Sequence, residues 1–380
     1  MTSVYETEQR PVIVQKYGGS SVATAEHIHN VAARIQARKD DGVDVIVVVS
    51  AMGDSTDDLI KLSDAVTNGQ TPDAREMDTL LSTGELVSST LMAMALKARG
   101  YDAISLSGIQ AGIKTDMVHG SARIADINTD RLRRELDKGR IVIVAGFQGL
   151  AESGDITTLG RGGSDTTAVA LAIAAEAERC EIYTDVDGIF TADPRITNKA
   201  KKLSKISYEE MLELASLGAK VLQTRSVELA MRYNVPLKVL NSFSDNDGTL
   251  VCQEESIMEN KVVSGVAHSR DEAKMTLISV ADRPGIAASI FGTLADKGVN
   301  VDMIVQNISD DGRTDMTFSC PVDQVELATV TLNEAKINKT FNYRELVSDE
   351  DVSKISVVGI GMRSHAGVAA KMFQALSKEN

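Results

Sequence analysis

Val12-Ile13-Val14-Gln15-Lys16-Tyr17-Gly18-Gly19-Ser20-Ser21 joins a short β-branched run to a pair of glycines, and the helical spacing of Ala23 to Arg38 follows at once. A strand that breaks at Gly-Gly and passes straight into a helix is the first half of a β-α-β unit. Val45 to Val49, Ile141 to Val144, Glu181 to Tyr183 and Leu237 to Leu240 are further runs of the same kind. Helical spacing fills Asp57 to Val66, Met77 to Lys97, Asp130 to Asp137, Ser164 to Ala177 and Ser207 to Leu217. Continuous apolar strands alternating with helices predict an α/β fold, a mainly parallel sheet sandwiched by helices. Ligands on such sheets bind beyond the carboxyl ends of the strands, so the residues that follow each strand are where chemistry is sought.

The 380 residues suggest two or three domains, and 43% apolar content is enough to give each a core. A net charge of −14 and only 4% aromatic residues argue against nucleic acid as a partner, since phosphates are repelled and few rings are available for stacking. Cys180, Cys252 and Cys320 fit neither a zinc ligand set nor an even-numbered disulfide framework. The five histidines show no ligand spacing, so no resident metal centre is expected. The longest apolar run, Val45 to Val49, is far short of the ~20 residues of a membrane helix, and Met1 to Arg10 carry no signal-peptide pattern. A cytoplasmic protein without a membrane partner is the expectation.

From Ser242 to Asn260 the chain turns polar and turn-rich, which places a domain boundary near residue 250. A repeat follows. Gly285-Ile-Ala-Ala-Ser-Ile-Phe-Gly-Thr-Leu aligns with Gly367-Val-Ala-Ala-Lys-Met-Phe-Gln-Ala-Leu at an offset of 82, and the runs before them, Lys274 to Val280 and Lys354 to Ile360, also match. The first copy reads on through Val299 to Val305, Thr314 to Ser319 and Val322 to Glu334 as a βαββαβ module. The second stops at Asn380, at the end of its first helix. Domains are therefore expected at 1–250, 262–345 and, incomplete, 346–380.

Three loops could carry chemistry. Lys16 to Ser21 offers free backbone N–H groups and a lysine to an anion at a helix start, although a tight strand–helix turn would read the same way. Thr157 to Asp165 sets Arg161 among glycines ahead of a helix that Ser164 or Asp165 could cap; the arginine's planar fork suits a carboxylate, and a capped helix after a loop is the alternative. Tyr183 to Arg195 crowds carboxylates, hydroxyls and an arginine beyond a strand, which suits a metal-bridged nucleotide or a turn-rich connection.

Taken in order, Lys16-Tyr-Gly-Gly-Ser-Ser-Val, Val49-Ser-Ala-Met, Leu81-Ser-Thr-Gly-Glu, Ile143-Val-Ala-Gly-Phe-Gln-Gly, Thr158-Leu-Gly-Arg-Gly-Gly-Ser-Asp, Tyr183-Thr-Asp-Val-Asp-Gly-Ile-Phe-Thr-Ala-Asp-Pro-Arg and Ala215-Ser-Leu-Gly-Ala-Lys-Val-Leu closely resemble the aspartate kinases, from about residue 11 to residue 380. The resemblance implies an amino-acid-kinase fold followed by ACT regulatory domains. The implied reaction is phosphoryl transfer from ATP, bound with Mg2+, to the side-chain carboxylate of L-aspartate, at the head of lysine, threonine, methionine and isoleucine synthesis. The residues present suit that reaction: a carboxylate nucleophile, with a pKa of roughly 3.9, is ionised at neutral pH and needs no histidine base.

Carried over motif by motif, the resemblance makes Lys16 the stabiliser of the transferring phosphoryl group, with Gly18, Gly19, Asp165 and Lys220 beside it. Arg161 would hold the substrate α-carboxylate and Glu85 its α-ammonium, with Ser20, Ser50, Thr56, Gly162 and Ser164 lining the site. Thr184, Asp185, Phe190, Arg195 and Lys220 would bind ATP; Phe190 stands where many relatives carry Tyr, and Ser55 where Thr is commoner. Asp282, Gly285, Ala287, Asn300, Asp302, Met303 and Gln306 would bind lysine or threonine as effectors at paired ACT domains of a homo-oligomer. Relatives continue past the point that matches Asn380, so the apolar face of Val368, Met372, Phe373 and Leu376 is expected to lack its covering strands, and inhibition to be weak. A kinase for another carboxylate or carbamate, or a regulatory subunit without activity, is the alternative.

Overall fold

The β-branched runs do lie side by side in the computed structural model, which describes residues 10–219, 221–254, 262–308, 312–363, 365 and 367–379. They form the middle of an eight-stranded sheet ordered Lys205–Ser207, Thr249–Cys252, Leu237–Asn241, Arg179–Thr184, Val12–Tyr17, Asp44–Val49, Ile141–Ala145, Ala103–Leu106. Val12–Tyr17 is central, parallel to both neighbours, with Val14 opposite Ile46 on one side and Cys180 on the other. Val45 to Val49 are wholly buried because helices cover both faces, which is why this run is apolar throughout instead of alternating. Helices Ala25–Asp40 and Ala74–Ala98 close one face over Tyr17, Ile35, Val47, Met92 and Leu96. Gly163–Ala174, buried along most of its length, lies against Val12–Tyr17 and its neighbours, with Thr224–Tyr233 packed on it.

Three strands of this sheet, the edge strands Ala103–Leu106 and Lys205–Ser207 and the next-to-edge Thr249–Cys252, were not among the expected runs. At three or four residues each they are too short to show a period. Thr249–Cys252 pairs antiparallel with Leu237–Asn241, so residue 250, where composition suggested a boundary, lies inside a strand. A second, four-stranded sheet, Ile124–Ile127, Ile113–Thr115, Gln148–Ala151 and Ile156–Thr158, was also not expected. It packs beside helix Ala74–Ala98 and carries the backbone up to Gly160.

Helix Ala74–Ala98, at 25 residues, is long and apolar enough to cross a membrane by length and composition, a feature that run length alone passed over. Its inward face, however, holds Asp78, Ser82, Glu85, Ser88 and Ser89, all buried against the rest of the fold. Glu181 is likewise fully buried, in the middle of the main sheet. Its oxygens accept from Arg38 Nη2 (3.1 Å), Arg179 Nε (2.9 Å), Gln15 Nε2 (2.9 Å) and Tyr183 Oη (3.1 Å), which supplies the donors a buried carboxylate requires.

Ala267–Ser356 forms a compact unit of its own. That unit is an antiparallel sheet ordered Ile304–Ile308, Arg313–Pro321, Glu272–Ala281, Glu345–Asp349 with helices Ile286–Asp296 and Val325–Ile337, the βαββαβ order read from the first repeat copy. Met275, Leu277, Ile290, Leu294, Met316, Phe318 and Leu332 fill its core. Gly285 caps the first helix at φ +88°, a left-handed conformation that costs glycine nothing. Toward the end of the chain, strand Lys354–Val358 leads to helix Val368–Glu379, on which Phe373 and Leu376 are exposed.

Candidate active site

Strands Val12–Tyr17, Asp44–Val49, Ile141–Ala145 and Arg179–Thr184 are parallel, so all four end at one edge, and hydrogen bonds tie the loops beyond them together. Gly18 N donates to Tyr183 O (3.3 Å), Ser50 N to Tyr17 O (3.1 Å), Gly53 N to Gly19 O (3.1 Å) and Gly146 N to Val49 O (3.1 Å). The strand period places Lys16 on the opposite face from Tyr17, toward helix Gly163–Ala174. There its Nζ meets Asp165 Oδ1 at 2.7 Å, with both side chains nearly buried. Asp165 lies in the first turn of that helix, where the backbone dipole favours a negative charge. A Cβ added at Gly18 would lie 3.5 Å from Lys16 Nζ, so the lysine head sits directly beside the Gly-Gly backbone. Gly18 and Ser21 N–H are taken up by Tyr183 O and Gly18 O, so the ammonium group, the backbone at Gly19 and the helix start form the cradle for a phosphoryl group.

Glu85 approaches from helix Ala74–Ala98. Its Oε1 accepts from Ala51 N at 3.3 Å, and Oε2 is buried without a hydrogen-bond partner among the described residues. Burial pushes its pKa up to about 7. Neighbouring Ser88 Oγ donates to Ser50 O at 2.7 Å. A buried acceptor left open in this way is a place for a donor that the protein itself does not supply. Ser164 packs against Gly146, where a Cβ would come within 2.8 Å of its Oγ.

Lys16, Gly18, Gly19, Ser50, Glu85, Ser164 and Asp165 thus share one contiguous edge. Thr184 and Asp185 end the strand beside Gly18, with Thr184 Oγ1 donating to Asp185 Oδ1 (3.2 Å). Thr56 is half-buried in the first turn of Ser55–Val66, Ser20 is exposed, and Phe190 is half-buried opposite Lys202. Arg161 is exposed between Gly160 and Gly162, both left-handed. Arg195 is 87% exposed and pairs with Asp193 at 2.8 Å, which raises its pKa. Lys220 lies outside the described residues. In the Ala267–Ser356 unit, Asp302 pairs with Lys354, Gln306 Nε2 donates weakly to Asp282 Oδ1 (3.5 Å), and Asn300 N donates to Gln324 Oε1 (2.8 Å). Met303 N donates to Ser319 Oγ (3.2 Å) and its side chain is exposed, while Ala287 is half-buried behind Gly285.

A Cβ at Gly19 would lie 2.9 Å from Ala51 O and 3.2 Å from Gly53 O, both backbone atoms. Gly19→Ala must therefore move the loop after Val49 off the cradle. We expect kcat to fall at least ~10-fold and Tm by a few degrees; unchanged kinetics in a steady-state assay would show that the loop has room to yield.

The description of the amino acid kinase family matches residues 11–241, and ACT domain descriptions match 274–335 and 355–380. The chain is 51% identical over 370 residues to the aspartate kinase of Pseudomonas fluorescens (strain SBW25), covering 97% of this chain and 89% of that one. The chain belongs to the aspartate kinases. Corynebacterium glutamicum aspartokinase is also 51% identical, over 374 residues, covering 97% of this chain and 88% of its own length. Among solved aspartate kinases, E. coli aspartokinase III in complex with aspartate and ADP in its R-state superposes with a TM-score of 0.79 at 27% identity, over 96% of this chain and 91% of that one. The same E. coli enzyme with lysine and aspartate in its T-state gives 0.75, at 27% identity over 92% and 87% of the two chains.

Proposed function

We propose that this chain transfers the γ-phosphoryl group of ATP to the side-chain carboxylate of L-aspartate, giving 4-phospho-L-aspartate and ADP. The observation that carries the reading is the Lys16–Asp165 pair beside Gly18 and Gly19, with the open Oε2 of Glu85 on the adjoining loop. The acceptor carboxylate is already ionised, so the protein need only orient it and neutralise charge as the phosphoryl group passes. Lys16, steadied by Asp165, meets the transferring phosphoryl oxygens, and the Gly19 N–H adds a donor, that of Gly18 being taken by Tyr183 O. Glu85 takes the substrate α-ammonium at Oε2, and Arg161 takes the α-carboxylate in a bidentate fork. Thr184, Asp185 and Arg195 hold the nucleotide.

Among the described residues no group of three or more His, Cys, Asp or Glu is placed to hold a metal ion. Mg2+ therefore fits as an ion that travels with ATP, bound by phosphates, water and at most one or two carboxylates such as the exposed Asp185. When bound it neutralises phosphate charge. In the Ala267–Ser356 unit, Gly285 with Asp302 and Gln306 is the proposed seat of a small amino-acid effector, which regulates only by binding one state of the kinase better than the other.

The test is an acceptor panel read by ADP release. Aspartate should be used, whereas succinate, which lacks the ammonium, and β-alanine, which lacks the α-carboxylate, should be turned over at least ~100-fold less efficiently. Equal use of succinate would overturn the role of Glu85. Arg161→Lys should raise aspartate KM by roughly 10-fold and leave ATP KM within about twofold, because an ammonium cannot reproduce the fork. A rise in ATP KM instead would assign Arg161 to the nucleotide.

A further inference from the structure

Asp78 is 1% exposed, a carboxylate that is costly to bury and that neither substrate nor nucleotide accounts for. It lies on helix Ala74–Ala98 seven residues before Glu85, two helical turns away on the same face and ~10 Å along the axis. Its oxygens are met by Thr158 Oγ1, by Gly120 N at 3.0 and 3.1 Å, and by His119 Nδ1 at 2.7 Å. Two of these donors flank the start of the Arg161 loop. Thr158 ends the strand that leads into Leu159-Gly160-Arg161, and its carbonyl accepts from Ala122 N at 2.9 Å. Gly120 lies against Gly160 so closely that a Cβ there, at φ +76°, would be 2.9 Å from Gly120 O. From the other side Arg225 donates to Leu159 O (3.1 Å) and Ala122 O (2.9 Å).

One rigid helix therefore holds Glu85 at one site on its buried face and grips the base of the Arg161 loop at another. We propose that Asp78, acting through Thr158 and Gly120, is a positioning residue that fixes Arg161 relative to Glu85, and so sets the grip on the two α-groups of the amino-acid substrate. This rests on the reading in which Arg161 and Glu85 hold those groups. Asp78 itself touches no reacting atom. Its carboxylate is the right group for the task because every neighbour directed at it is a donor, and a neutral amide would turn its own N–H2 group toward one of them.

The test compares Thr158→Val, Thr158→Ser and Asp78→Asn in the full chain, with Arg161→Lys in parallel. Thr158→Val keeps shape and removes only the hydroxyl on Asp78. It should raise aspartate KM roughly 5- to 10-fold, leave ATP KM within about twofold and spare most of kcat, since a loop displaced by a fraction of an ångström loses its positioned contact. Thr158→Ser should restore wild-type aspartate KM. Asp78→Asn should exceed Thr158→Val in the same direction. A role in folding alone would lower Tm with both KM values unchanged, or raise them together, and either outcome overturns the proposal. If Asp78→Asn does not fold, the Val and Ser pair decides. Should Arg161→Lys leave aspartate KM unchanged, the substrate reading of Arg161 fails; should it raise aspartate KM while Thr158→Val does not, only the positioning role fails.

Discussion

Lys16→Ala is expected to lower kcat by more than ~100-fold, about 3 kcal/mol, with aspartate KM within roughly twofold of wild type. The Lys16 head lies beside the glycine backbone and is held at 2.7 Å by Asp165, so its position is set before substrate arrives. A preorganised charge of this kind stabilises the transition state, in which negative charge spreads over the transferring phosphoryl oxygens, more than the ground state. That difference appears in kcat. Removing the ammonium also strands Asp165, 6% exposed at the helix start, and an unpaired buried carboxylate costs stability. Lys16→Ala, Asp165→Asn and the double variant should therefore be followed by both kinetics and thermal melting. Near-normal kcat in a folded Lys16→Ala protein would remove the lysine from the transfer step.

Glu85→Gln should raise aspartate KM by roughly 100-fold or more, because a buried carboxylate–ammonium contact that loses its charge forfeits about 3 kcal/mol. The wild-type protein supplies an independent check through pH. Burial holds the Glu85 carboxyl at about 7 in the free protein, so its ionised fraction falls as the solution is acidified through neutrality. Between about pH 8 and about pH 6 the ionised fraction drops roughly 10-fold, and kcat/KM for aspartate should fall with it, while the Gln variant shows no such limb. Stability changes with the opposite sign. Since the folded state holds this proton more tightly than the unfolded chain, the group's contribution is fully present below the ordinary carboxyl range and is lost as pH rises toward about 7. A pH-independent aspartate kcat/KM over this range would show that Glu85 does not carry the ammonium.

What could be read in the residues and what could not divides along a physical line. Val12–Tyr17, Asp44–Val49, Ile141–Ala145 and Arg179–Thr184 are four strands of five or six residues, covered by helices on both faces. Val45–Val49 and Ile141–Ala145 are apolar throughout and visible without any knowledge of neighbours, whereas Val12–Val14 and Ile182–Tyr183 are shorter apolar runs beside the buried Gln15 and Glu181. The glycines that end the first of them mark the ligand edge for the same local reason. The first strand and helix of Ala267–Ser356 were legible because the sequence repeats them, and the rest of its βαββαβ order from the runs that follow.

Three-residue strands such as Lys205–Ser207 and Ile156–Thr158 leave no period to detect; they exist because longer neighbours offer them hydrogen bonds. The site divides in the same way. Residue type and spacing single out Lys16 and Arg161, and the resemblance adds Glu85, but only folding places Lys16 against Asp165, buries one Glu85 oxygen without a partner among the described residues and so raises its pKa. Asp78 carries no local signal at all. In the sequence it is one acidic residue on a helix, and the hydroxyl that gives it meaning belongs to a residue 80 positions away. Chain chemistry determines which groups are available at the edge of the sheet; the distances and the exclusion of water that turn them into a site depend on contacts between residues far apart in the chain, and those form only when the tertiary structure does.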